Sequence, residues 1–137
     1  MQEVRNFSII KEAPGLNTRT DAWRELKERI VGKRYGVSVV WMSAWRMRVL
    51  NKTYRARSRS ANVLAFPLTR DYGEIFLCAS RIRRESALWG RTPAQHAVLL
   101  FIHALLHLKG MDHTRKQDRT RMECEEKRFS VWYNKKY

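Results

Sequence analysis

Residues 97–113 read AVLLFIHALLHLKGMDH, and the rest of the chain is best understood outward from them. His103 and His107 are four residues apart, so on a helix their rings lie one turn apart on one face, the spacing that lets two imidazoles share a metal ion. Gly110 predicts the end of that helix, since glycine readily takes the left-handed conformation that reverses the chain. His113 follows three residues later, where a returning chain can bring a third imidazole to the same ion. Three neutral imidazoles with an open fourth position are the ligand set of a catalytic zinc, whereas a structural zinc is closed by a fourth protein ligand. Spacing alone leaves a second reading open, because a histidine on an apolar helix is usually a hydrogen-bonded core residue. The nearly unbroken apolar segment favours the metal: several buried imidazoles each need a partner, and one ion supplies it.

The chain has 137 residues, enough for one domain with a real core and too few for two. Charged residues make up 30% and hydrophobic residues 44%, the balance of a folded soluble protein. The longest apolar run is too short to span a bilayer, and the first residues, MQEVRNFSII, lack the pattern of a secretory signal. The cytosol is the default expectation. Cys78 and Cys124 are far apart in sequence, which predicts reduced, buried thiols instead of a disulfide. The formal net charge of +15 is far more than solubility needs and draws polyanions, of which nucleic acid is the commonest in a cell. An anionic membrane is the competing partner, but no amphipathic basic helix stands out to lie on one.

Periodicity predicts the order β-α-β-α-β-β-α-α-α. Strands are expected at residues 7–10, 36–42, 62–67 and 74–78, with 71–73 as the turn before the last. A helix capped by Thr20 or Asp21 runs to about 31 with Trp23, Leu26 and Ile30 inward, and a second starts behind Ser43 and runs to about 54. Residues 55–60, RARSRS, form a basic loop, a pattern that is usually just a solvated charge run. A helix over 79–88 exposes Arg81, Arg83 and Arg84. Thr92-Pro93-Ala94-Gln95 reads as a capping box opening the histidine helix, which should run through the interior. His96 falls near the face of His103, either supporting the ligands from behind or making one buried hydrogen bond. A last helix spans about 117–132 with Met122, Phe129 and Trp132 inward, and Glu123, Glu125 and Glu126 toward solvent or arginines. The helix-separated early strands suit parallel crossovers and the last two strands suit a hairpin, so a mixed sheet in one domain is expected.

Taken together, these residues resemble the YbeY family of bacterial endoribonucleases and ribosomal RNA maturation factors. The family signature H-G-x-L-H-L-x-G-x-D-H is matched by residues 103–113, HALLHLKGMDH, with Ala104 in place of the glycine. An asparagine and Tyr-Arg followed by T-N-V-L-S-F-P are matched by Asn51, Tyr54, Arg55 and residues 61–67, with Ser60-Ala61 replacing Pro-Thr. The block G-D-I-x-I-C is similar to residues 73–78, and M-E-x-x-E to residues 122–126. The matching blocks cover more than half the chain, in order, and none of the departures removes a candidate ligand.

The resemblance implies an α+β fold, a mixed sheet of about four strands with helices packed on it, together with one zinc ion, or another divalent metal, on His103, His107 and His113, and a single-stranded RNA substrate. It further implies action in maturation of the small-subunit ribosomal RNA 3′ end and in ribosome quality control, with the small subunit or its proteins as partners. Such an ion lowers the pKa of its water from about 15.7 toward 7 and polarises a phosphoryl oxygen. Arg55 is the family arginine, able to hold two phosphate oxygens at once. Arg57, Arg59, Arg81 and Arg84 are further candidates for RNA contact. Asp112 either orients His113 or the water from outside the ligand set, or serves the turn alone. Two other functions share parts of this pattern. The histidine spacing is also that of metzincin peptidases, but those place a glutamate where this chain has Ala104. A non-catalytic ribosome assembly factor with structural zinc needs the same basic surface.

Overall fold

A computed structural model describes residues 6–53, 63–111 and 116–137. The run GVSVVW is buried at every position, and this segment, rich in valine and carrying one serine, becomes an inner strand, β2 (Gly36–Trp41). On one side it pairs in parallel with β1 (Phe7–Lys11), and on the other with β4 (Tyr72–Leu77). The second edge is β3 (Val63–Thr69), antiparallel to β4, so the order is β1-β2-β4-β3. Pro67, which has no amide hydrogen, sits on this edge where the register shifts. The two parallel pairings need crossovers, which run through helices α1 (Thr20–Val31) and α2 (Ala44–Thr53), while β3 and β4 join by a tight turn at Arg70–Asp71. The chain then continues into α3 (Ala79–Leu88), α4 (Pro93–Leu108) and α5 (Lys116–Lys136).

Alternation along the strands divides the core in two. Val37, Val39, Trp41, Ala65, Ile75 and Leu77 face α1 and α4, while Val40, Leu64, Phe66 and Phe76 face the other way, toward Met47 of α2. Helix α4 is the hub: it packs against β3, α1, α3 and α5. Phe101, Ile102, Ala104, Leu105 and Leu106 have no exposed surface, and Trp23 of α1 stacks on Phe101 with ring centroids 4.3 Å apart. Each such leucine contributes about 1.5–3 kcal/mol by leaving water, so α4 is held on most of its circumference, with Leu99, Leu100 and His103 half-buried.

The observed element order and the mixed sheet are those the periodicity predicts. Several local expectations are corrected. Helix α1 begins at Thr20 behind Arg19, which makes no side-chain cap; Asp21 lies inside the first turn. Tyr72 and Gly73 belong to β4 and not to the turn, because Tyr72 pairs with Gly36 and its hydroxyl bonds Ser38 Oγ at 2.6 Å. Helix α5 runs on to Lys136, where Glu25 of α1 receives Lys136 Nζ at 2.8 Å and the Tyr137 hydroxyl. Cys78 is buried, but Cys124 is exposed on the outer side of α5; both are free thiols. Among the described residues, no helix is long and apolar enough to cross a membrane.

Candidate active site

Both ends of α4 are fixed by local hydrogen bonding, and this sets the rotation at which its histidines emerge. At the start, Thr92 Oγ1 accepts from the Gln95 amide at 3.1 Å and Gln95 Oε1 accepts from the Thr92 amide at 3.0 Å, with Pro93 in the first turn. At the end, Gly110 takes φ +107°, and the amides of Gly110 and Met111 donate to the carbonyls of His107 and Leu106 at 3.0 Å each. This is the double closure of a Schellman turn.

His107 then points inward, 1% exposed, and His103 lies toward the rim with 17% of its side chain exposed. Their ring centroids are 4.6 Å apart and their Nε2 atoms 3.1 Å apart. From α5, Glu126 Oε2 lies 2.5 Å from His103 Nδ1. A carboxylate can only accept here, so Nδ1 carries the hydrogen and the His103 lone pair is at Nε2, aimed at His107. Two nitrogens sharing a tetrahedral zinc at bonds of about 2.0–2.1 Å lie about 3.3 Å apart, so the pair suits a divalent ion. A carboxylate behind a ligating imidazole is the usual support of such a ligand.

Among the described residues, no group of three His, Cys, Asp or Glu side chains is placed to hold an ion. The expected third ligand, His113, lies outside the described residues, as do Asp112, Arg55, Arg57 and Arg59. His96, two turns before His103, donates from Nε2 to Glu85 Oε1 at 2.5 Å and receives Arg91 Nη1 on Nδ1 at 3.3 Å. It shares a cavity with His103 while its own ring is bonded to α3 and the loop after it. Arg81 reaches the Ala44 carbonyl at 3.5 Å, and Arg84 is exposed on α3.

Glu126 corrects the expectation that the acidic cluster faces solvent or arginines. Glu125 does pair with Arg128, at 2.7 Å, but Glu126 follows buried Met122 by four residues and precedes buried Phe129 by three. That spacing puts its carboxylate on the stripe facing α4. Beside the imidazoles, a cavity of about 930 Å³ opens between α4 and α5. Arg91 and Lys127, which sequence reasoning did not single out, stand on its walls.

A sequence profile described as Endoribonuclease YbeY matches residues 8–132. A protein named Endoribonuclease YbeY from Neisseria meningitidis serogroup B is 32% identical, the match covering 90% of this chain and 81% of that one. Its namesake from Halorhodospira halophila is 32% identical over 81% of this chain and 79% of its own, and that from Wolinella succinogenes 38% identical over 66% and 67%. The matched profile takes in the imidazole pair, its carboxylate support and the sheet that carries them, and by this measure the chain belongs to the YbeY endoribonuclease family.

Proposed function

We propose that this protein is a metal-dependent endoribonuclease that cuts single-stranded RNA, with the 3′ end of small-subunit ribosomal RNA as its working substrate and the small subunit or its proteins as partners. The observation that carries the reading is the convergence of His103 and His107 Nε2 at 3.1 Å, backed by Glu126. His103, His107 and His113 would hold one zinc or similar divalent ion. Such an ion supplies a Lewis acid for a phosphoryl oxygen and acidifies water toward neutral pH.

The chain's own groups do the rest. Glu126 keeps the proton of His103 on Nδ1 and stops the ring from turning. The walls of leucine and phenylalanine around α4 keep bulk water from competing for the inner imidazole, His107. Arg55 would grip the phosphate by its guanidinium fork and offset the charge that grows on its oxygens. The net charge of +15 supports a polyanionic substrate. A peptidase is disfavoured because Ala104, where a metzincin needs its glutamate, is fully buried beside the helix core.

The test is metal content measured together with cleavage of a single-stranded ribosomal RNA precursor. His103→Ala and His107→Ala should lose both zinc and cutting, whereas Arg55→Ala should keep zinc and lose cutting. A wild-type protein stripped of metal that still cuts at full rate overturns the proposal. Rescue of ribosome maturation by His103→Ala in a deletion strain would assign the cellular role to assembly instead.

A further inference from the structure

The cavity beside His103 does not end at Arg91. Gln95, Val98 and Asn134 line it and also line a second cavity of about 570 Å³, which opens between the residues before α1 and the end of α5. The two make one trough along α4, about 14 Å long from His103 back to Ala94 at 1.5 Å per residue. Its far end holds Arg19 and Tyr137, the guanidinium lying 4.7 Å over the ring centroid.

We propose that this trough carries the RNA strand flanking the cut site, from His103 along α4 to a platform on which a base stacks against Arg19, itself backed by Tyr137. The identity of the strand rests on the nuclease reading above. Three cations line the path, Arg91, Lys127 and Arg19, while its acid, Glu126, is already bonded to His103. Glu25, which receives the Tyr137 hydroxyl, is matched by Lys136 at 2.8 Å and Arg29 at 3.6 Å. Asp21 lies 3.5 Å from Arg19, but both side chains are more than half exposed, and such a pair yields readily to a phosphate. Cations along a groove with a planar guanidinium on an aromatic ring at its end are what single-stranded RNA binds: phosphates to charge, a base to the flat face. A peptide has no planar group at regular intervals to use the second feature.

The experiment measures fluorescence anisotropy of an end-labelled oligouridylate of about twelve nucleotides with the metal-loaded protein. It is read at once, with gels confirming that the strand is intact, and cleavage is followed afterwards on the same RNA. Arg19→Ala should weaken binding about tenfold, and Arg19→Lys, which keeps the charge without the plane, about threefold. Lys127→Ala should also weaken it, whereas Arg48→Ala, an equal loss of charge on α2 across the sheet, should leave it unchanged. Equal effects of Arg19→Ala and Arg48→Ala overturn the trough. Full binding by Arg19→Lys, or competition by inorganic polyphosphate as strong as by RNA, overturns the stacking platform. If the wild type cuts but Arg19→Ala binds normally, the trough fails and the nuclease reading stands. If nothing is cut yet binding depends on Arg19, the nuclease reading fails and the trough stands.

Discussion

Glu126→Ala is the most direct probe of the imidazole pair, because it alters none of the three proposed ligands. The contact removed is a charge-assisted hydrogen bond of 2.5 Å between side chains 17% and 27% exposed. Without it, His103 can rotate and its proton can move to Nε2, which takes away the lone pair that faces His107. Losing such a support typically lowers metal affinity by about 10–100-fold, or about 1.4–2.7 kcal/mol. Glu126→Gln keeps an acceptor without the charge and should fall near the lower limit. Folding should change by less than about 1 kcal/mol, since water from the adjoining cavity can replace the carboxylate on Nδ1. The assay is zinc competition against a chromophoric chelator, with the urea midpoint recorded alongside. Excess zinc should restore most of the cutting rate, because the residue acts on occupancy and not on the phosphate. Wild-type zinc affinity in Glu126→Ala would refute the view that this carboxylate orients His103 for a metal.

Three further outcomes follow from the fold. A Cβ on Gly15 would lie 2.6 Å from Trp41 Cγ, a fully buried ring with no room to retreat, so Gly15→Ala should lower stability by about 1–3 kcal/mol in urea unfolding; no loss would mean that the loop lifts off the indole freely. Burial holds Lys27 below the usual lysine range, so the unfolded chain binds its proton more tightly, and wild-type stability from this group rises as pH climbs through the folded pKa toward about 10.4. Lys27→Met should therefore gain stability at pH 7 and lose that advantage at high pH, unless the 3.0 Å bond from Nζ to the Lys33 carbonyl outweighs burial, which a less stable variant at pH 7 would reveal. The hydrogen bond to Glu25 raises the Tyr137 hydroxyl to about 12; the stability it lends is present below about pH 10 and lost as pH rises through about 12. Glu25→Gln should bring one tyrosine back toward about 10 in an absorbance titration, and superimposable curves would refute the assignment.

What the sequence discloses about this protein divides along the range of the interactions. Thr92 to Gln95, Ser43 and Gly110 act within a few residues, through caps and a left-handed turn, and each does in the structure what its type predicts. The β-branched run over residues 36–41 needs only its own apolarity to be read as an inner strand. Thr20 and Asp21 show the limit of this reasoning: two good capping residues stand side by side, yet the helix starts behind Arg19, which makes no side-chain cap, with Trp23 and Leu26 buried in the core. Glu126 lies further beyond that limit. By its own chemistry an acid in a cluster of acids belongs in water, and only its position between Met122 and Phe129 contradicts this. An acid on an inner stripe must find a cation, a proton donor or a metal ligand on another element. The candidate for that partner could be sought only where another helix carried polar groups on its own inner face, and α4 offered its histidines there. The charge of +15 is legible in the same incomplete way, because composition states its size while the packing of α5 against α4 decides that part of it lines a trough ending at the imidazoles. A partner held across 23 residues of chain is thus inferable from two stripes read together, though from neither alone.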